Sequence, residues 1–470
     1  MDGPVSRRAL LRRGVTATAL LSGAGALLAA CARPAGAGSR SGGAQPVPQH
    51  GKTVIVMRPW GAGTVSGTTP AAEVDLLYEA TQPWRAKNPG VDVQIVENTG
   101  GPAAIIASIL AGKGPDIYHN WHPGTMFAQA GFAADLRPYL QKYNADLSTF
   151  NTAQLDLFQL SDGSIRGLPY YLGTQTMCLD LTMLDTLNLQ LPEPGWTYQA
   201  YAKLATDIAA TARYKVGGKS EPVYGGAYGI GSIGAPSAYL PPTCVLQGFG
   251  GSYVLPGDAT KCNLGAQSSI AAVQWAFDLA QHNAILPPGA SGTFGTTLAM
   301  RWAESWQLAR GLQRSAGQDW EYFAMPVFLE GPVSTATADF WALNPHSPHV
   351  DLAWDLLYWC AFEPEWQVSN MKIFLLSPAQ TTLWDQWVAY VPTLAPPLAN
   401  KNIQAFADVA RSGKAYPQAF FTRQDPQAEN LIDAAGQQIW QGADITTTLT
   451  GVAQQVDALE IALASAGSSA

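Results

Sequence analysis

The side chains best placed for chemistry in this chain are aromatic and polar groups that follow expected strands. Trp60 comes just after the apolar run 53–57, Asn98 after 91–97, and His119-Asn120-Trp121-His122 after 116–118. Ligands of open α/β sheets bind beyond the carboxyl ends of the strands, so position nominates Trp60, Asn98, Asn120 and Trp121. Their chemistry would be recognition: an indole face stacks on an apolar ring face. Catalytic spacings fall short. His119 and His122 are close, and His346 and His349 follow downstream, but no His-Glu-x-x-His occurs. There is no Gly-x-Ser-x-Gly elbow, and Gly218-Lys219-Ser220 lacks the earlier glycine of a phosphate loop. Gly61-Ala62-Gly63 leads to Ser66 where a dinucleotide turn needs glycine. No metal and no cofactor are expected. A carboxylate pair for glycoside hydrolysis stays open, because sequence does not say which acids meet.

The elements that must hold these groups alternate. A buried strand at 53–57 is followed by a helix with Val74, Leu77, Tyr78, Thr81 and Trp84 on one face, stopped by Asn88-Pro89-Gly90. A strand at 91–97, a helix at 102–111 and a strand at 116–118 complete a parallel sheet with covering helices. Gly163-Ser164-Ile165-Arg166-Gly167-Leu168-Pro169-Tyr170-Tyr171-Leu172-Gly173 then reads as a bend between two lobes. Gly167 and Gly173 permit unusual backbone angles there, Pro169 fixes one, and Tyr170 and Tyr171 offer rings to a ligand held between the lobes. A second α/β run follows. Strands are expected at 177–181, from 298 and at 322–326, and helices at 198–211, 268–282, 351–362 and within 427–448.

The N-terminus reads as an address. Ser6-Arg7-Arg8-Ala9-Leu10-Leu11-Arg12 has the form of a twin-arginine export signal. The apolar run 15–30 behind it is too short and wrongly flanked for a membrane-spanning helix. Leu28-Ala29-Ala30-Cys31 resembles a lipobox, whose cysteine becomes the lipidated first residue after cleavage. Residues 1–30 are thus expected to be a signal peptide and 31–50 a flexible tether, placing the body on the extracytoplasmic face of the membrane. Four cysteines remain, and Cys244 and Cys262, which bracket a glycine-rich turn, are disulfide candidates. Net charge is −8, and cleavage after Ala30 would remove four arginines against one acid, so nucleic acid is an unsuitable partner. Only 13% of residues are charged while tryptophan reaches 15, a balance that suits neutral ligands met by stacking.

Eight pieces appear in one order behind that leader: Trp84-Arg85-Ala86-Lys87-Asn88-Pro89-Gly90-Val91, Gly112-Lys113-Gly114-Pro115-Asp116-Ile117, Asp135-Leu136, Gly167-Leu168-Pro169-Tyr170, Pro194-Gly195-Trp196-Thr197, Gln247-Gly248-Phe249-Gly250-Gly251, Ala299-Met300 and Ala353-Trp354. In this order they resemble the extracellular solute-binding proteins of bacterial ABC importers, in the group that includes maltose-binding protein. The resemblance spans about residues 52–459. It implies a periplasmic-binding-protein-like α/β fold: two lobes joined by a multi-crossing hinge, with a ligand cleft between them. Lobe one would be 51–166 plus 329–372, and lobe two 167–328 plus 373–466. The crossings would fall at 163–173 and, around Pro326, at 325–331.

The same resemblance implies a sugar or oligosaccharide ligand, delivered to permease subunits by a monomeric, lipid-anchored receptor without catalysis. Sugar faces stack on aromatic rings and sugar hydroxyls bind planar polar groups. Trp121, Trp306 and Tyr170 or Tyr171 fall on the family's cleft aromatics, and Trp60 and Trp341 join them from strand ends. Asn120, Glu304, Asp339 and Arg423 are the polar candidates. Trp302, Trp354, Trp359 and Trp366 read as core. The chain departs from the family at Leu179-Asp180, where a Tyr-Asn pair is common, and at Glu304-Ser305-Trp306, where Gly-Pro-Trp or Gly-Trp is common. Ligand identity therefore does not follow. The alternatives are a secreted glycoside-active enzyme, or the same receptor fold holding a polyamine or a glycerol phosphate ester.

Overall fold

The computed structural model describes residues 52–59, 70–96, 101–120, 131–156, 158–160, 162–216, 219–227, 239–256, 258–290, 292–308, 318–332, 334–412, 415–417 and 426–467. The export signal, Cys31 and the tether lie outside them, as do Trp60, Asn98, Trp121 and Arg423. Among the described residues no helix is long and apolar enough to cross a membrane.

Two sheets organise the body. The first contains β1 (Thr53–Arg58), β2 (Val91–Ile95), β3 (Ile117–Asn120) and β4 (Leu168–Gly173), together with the later strands β8 (Ser334–Leu343) and β9 (Ala415–Pro417). Its order is β9-β8-β3-β1-β2, with β4 also pairing β8. β1 is parallel to β2 and β3, and β8 is antiparallel to β3 and β4. The second sheet sets β5 (Gln175–Asp180) between β6 (Met300–Glu304) and β7 (Trp320–Phe323), antiparallel on both sides.

Local chemistry explains the main departures from expectation. The helix expected through Trp84 is two, Pro70–Ala80 and Gln82–Lys87, because Pro83 has no N–H to continue the first and suits the opening turn of the second. β3 runs to Asn120, so His119 lies within the strand instead of after it. The expected bend is confined to the turn at Gly163, whose φ is +76°; from Leu168 the chain is a strand buried at every residue. Pro169 is tolerated because β4 pairs only with β8 and the register shifts between Asp339 and Phe340. The chain therefore leaves the first sheet at Thr174, later than the expected boundary at 166. β9, within the stretch 373–466 expected in the second lobe, pairs with β8 of the first sheet beside Ser334–Ala336. The N-terminal half of β8 has backbone groups to satisfy, and β9 meets them. The second passage between sheets falls between Phe323 and Ser334, through the hairpin Val327–Phe328 and Gly331–Pro332.

Among the described residues, the three largest apolar cores follow from this wiring. The first gathers Ile55, Trp84, Val93, Ile117, Trp354 and Trp366 around the first sheet. The second gathers Met177, Leu179, Ile208, Val273, Trp302 and Ile432. Its helix Tyr198–Thr211 is capped by the Thr197 side chain on the Ala200 N–H and buries Tyr201, Leu204, Ala205 and Ile208, one stripe of a 3.6-residue period. The third core lies across the crossing: Leu172 of β4 and Cys178 of β5 meet Trp320, Trp384, Trp387 and Phe406. β5 is thus covered on both faces, Met177 and Leu179 toward one core and Cys178 toward another.

The disulfide candidates Cys244 and Cys262 are not bridged to each other in this structure. Cys244 is in the helix Thr243–Gly248 inside the second core. Cys262 ends a hairpin strand, its N–H held by Asp457 Oδ1 at 2.8 Å, and burial pushes its thiol up to about 12. The turn between them serves that hairpin instead of bringing the two sulfurs together. Adding reductant should therefore leave the melting temperature unchanged, whereas a drop of several degrees would reveal a bridge. Gly167 is short of space: a Cβ there would stand 2.6 Å from Phe340 Cδ2 and 3.2 Å from the Trp341 carbonyl. Gly167→Ala should destabilise the protein by about 1–3 kcal/mol, read from denaturant midpoints. An unchanged midpoint would mean that β8 yields easily.

Candidate functional site at the crossing

Thr174 is the single residue between β4 and β5, and it is fully buried, so its backbone groups need protein partners. Ser305 supplies two. Its N–H donates to the Thr174 carbonyl at 3.0 Å, and its Oγ accepts the Thr174 N–H at 3.1 Å. Ser377 Oγ donates to the Leu172 carbonyl at 2.7 Å, so at the 2.8 Å Ser305–Ser377 contact the Ser305 hydroxyl is the donor. The Thr174 hydroxyl reaches the Phe406 carbonyl, and the Gln175 N–H reaches Ser334 Oγ at 2.8 Å, where β8 begins. Both passages between the sheets are tied together here.

Most of the described recognition candidates lie at or beside this crossing. Glu304 ends β6, and Trp306 sits in the short 3-10 turn Ser305–Gln307 that follows. Glu304 Oε1 accepts from the Gln175 side-chain amide at 2.8 Å, and Oε2 accepts from the Trp306 indole N–H. Asp339 lies opposite Tyr171 in the β8–β4 pairing, and its Oδ2 is 2.8 Å from His119 Nε2. The His119 ring packs on Tyr170 at 4.6 Å, and Tyr170 on Trp341 at 4.7 Å and Tyr171 at 6.3 Å. Asn120 ends β3 with its backbone opposite Phe340.

All four aromatic candidates that the structure describes here are buried, to slightly different degrees. Trp341 has no exposure, with Tyr170 on one side and Trp366 at 6.0 Å, and Tyr170 is 1% exposed. Both belong to the first core, as Tyr171 and Trp306 do, because β8 and β4 lie within a covered sheet that encloses their inward side chains. Trp306 keeps 8% and Tyr171 3% exposure. Trp302, Trp354, Trp359 and Trp366 are all buried, as read from sequence.

Glu304 is 1% exposed, and burial, with a smaller contribution from the Asp339 charge, raises its carboxyl from the ordinary 4.5 to about 7. Hydrogen bonds from Gln175 and Trp306 act the other way. His119 pairs with Asp339 from within a strand, and local sequence gives no role to Thr174, Ser305, Ser334 or Ser377. One signal was present for Gln175: an amide beginning a strand that is otherwise largely apolar. Among the described residues no cluster of three or more metal-binding side chains occurs.

Because the folded carboxyl value lies above the unfolded one, the folded state holds an extra proton between about 4.5 and 7. Stability is then lost as pH rises through that window, and the whole penalty, on the order of 3 kcal/mol, is in place above it. The stability of Glu304→Gln relative to the parent should accordingly grow from pH 5 to pH 8 in urea titrations. A difference that stays flat with pH would sink this assignment.

Comparison with known proteins places this geometry. The family model for the bacterial extracellular solute-binding protein matches residues 67–368. No curated protein sequence matches the chain. Among solved structures, the fold is similar to the cyclic alpha-maltosyl-1,6-maltose binding protein of Arthrobacter globiformis, with 15% identity and TM-score 0.69 over 87% of this chain and 99% of that one. It is similar also to an ABC substrate-binding protein of Listeria monocytogenes in complex with cycloalternan, with 15% identity and TM-score 0.66 over 87% and 99%. The sugar-binding protein MalE of Xanthomonas citri aligns with 16% identity and TM-score 0.64 over 87% and 98%. These likenesses establish a periplasmic-binding-protein-like fold, and the family match, running from before the first described helix into the one that follows Phe362, makes the chain a member of the bacterial extracellular solute-binding proteins.

Proposed function

We propose that this protein is the receptor of an ABC importer, anchored to the membrane by a lipid on Cys31 and exported by the signal in residues 1–30. It captures a sugar or oligosaccharide between two lobes and hands it unchanged to the permease. In this reading lobe one comprises residues 52–173 with 334–374, and lobe two 175–332 with 426–467. Thr174 and the hairpin around Pro326 are then the places where the lobes turn. Ligand contacts from both lobes would favour the closed state, the ordinary thermodynamics of hinge closure.

The observation that supports a ring-faced ligand best is Trp306, an indole held at the crossing by a hydrogen bond to Glu304. An indole fixed in plane gives a sugar face its stacking area with little ordering cost. The similar Arthrobacter protein binds cyclic alpha-maltosyl-1,6-maltose and the Listeria one is in complex with cycloalternan, which agrees with this chemistry. Tyr171, Asn120, Trp60, Asn98, Trp121 and Arg423 remain the further candidates for contact, and the receptor acts as a monomer. Hydrolysis is disfavoured by the state of Glu304, whose two oxygens accept from protein donors while its side chain is buried.

A panel of maltooligosaccharides, mannooligosaccharides, spermidine and glycerol phosphodiesters, read by melting temperature and by chromatography, tests the reading. A sugar at a hundred times its Kd should add about 2.7 kcal/mol to stability with no product formed. Trp306→Ala should weaken that binding roughly tenfold or more. Product that disappears in Glu304→Gln would establish a glycosidase instead. A response to spermidine or the phosphodiester alone would replace the sugar.

A further inference from the structure

Glu304, Ser305 and Trp306 are consecutive, and each is tied to the same place. The Glu304 side chain binds the Gln175 amide, Ser305 binds both backbone groups of Thr174, and the Trp306 indole N–H returns to Glu304. Thr174 and Gln175 are the residues on which the chain passes from the first sheet to the second, and the Gln175 N–H is bound to Ser334 at the start of β8. An indole on an unanchored turn would be free to rotate about its side-chain torsions. Here one carboxylate, with both oxygens engaged, links the ring to the crossing strand.

We propose that Glu304 is a positioning residue, which locks the Trp306 ring to the crossing strand so that the stance of the ring and the relative stance of the two lobes change together. This rests on the reading of Trp306 as the ligand platform only for its effect on binding; the locking itself does not. An ionised carboxylate accepts both N–H groups, whereas a protonated one has a hydroxyl that must face one of them. Protonation therefore loosens the lock. Burial puts that event near neutral pH, and Asp339, itself paired with His119, is the described charge that acts on Glu304. The consequence is a receptor whose grip weakens as its surroundings acidify.

The test labels the full soluble body with 5-fluorotryptophan and assigns the Trp306 fluorine resonance by its loss in Trp306→Phe. In the parent protein that resonance should move between pH 5.5 and 8.5 with a midpoint near neutrality. In Glu304→Gln, folded by circular dichroism, it should sit near the parent's acidic position at every pH. These spectra need no ligand. A parent resonance that does not move, or one that moves equally in Glu304→Gln, overturns the proposal. The sugar giving the largest melting shift in the panel is then titrated at pH 6 and pH 8. Its affinity should fall on the order of 5- to 10-fold at the lower pH in the parent and stay flat in Glu304→Gln. Spectra that titrate as expected alongside an affinity that Trp306→Phe leaves unchanged would uphold the lock and remove Trp306 as the ligand platform.

Discussion

The structure depends on one residue-long passage. β4 and β5 belong to different sheets, and only Thr174 stands between them. Extended backbone at such a place has lost its partners in one ladder before joining the next, and burial denies it water. Each unpaired group would cost about 1–3 kcal/mol, so the surrounding chain must supply donors and acceptors. Ser305, Ser334, Ser377 and the Phe406 carbonyl do so from four separate segments. Small hydroxyl side chains suit the task, since each can donate and accept within a narrow space.

That demand also explains why polar groups cluster where a ligand site would be useful. Glu304 and Asp339 are acids in a nearly waterless setting, tolerable because Gln175, Trp306 and His119 bind their oxygens. The charge of Asp339 bears on Glu304 although the two come from different sheets. A shift of one sheet against the other therefore changes electrostatics as well as packing. The third core works in the same direction. Its Trp384, Trp387 and Phe406 share one buried cluster with Leu172 and Cys178, one on each side of Thr174, so the crossing is backed by packed rings and not by solvent.

The similar solved structures share 15–16% identity with this chain, yet their TM-scores lie between 0.64 and 0.69. Such a fold survives heavy substitution because hydrophobic patterning and strand order define it, while individual side chains need only fill volume. Ligand chemistry does not travel that way. It resides in a few groups, such as Glu-Ser-Trp at 304–306 in this chain.

Much of the architecture could be read from residues alone, for a physical reason: strand and helix patterns are local. The apolar run before Arg58, the stop at Asn88-Pro89-Gly90 and the stripe of Tyr201, Leu204 and Ile208 each report burial with a short period. Tryptophans such as Trp354 and Trp366 could be read as core on the general tendency of large aromatics to fill interiors. Long-range pairing was not. Whether Leu168–Gly173 bends or pairs depends on β8, some 165 residues later in the chain, and the partner of His119 is Asp339 on that same strand. Trp341 looked available at a strand end until Tyr170 and Trp366 closed over it. Sequence by itself determined two α/β runs with a jointed middle. Tertiary structure alone decided which aromatic side chains are pillars, and it alone tied Trp306 to the joint, because both depend on contacts between segments that no local pattern encodes.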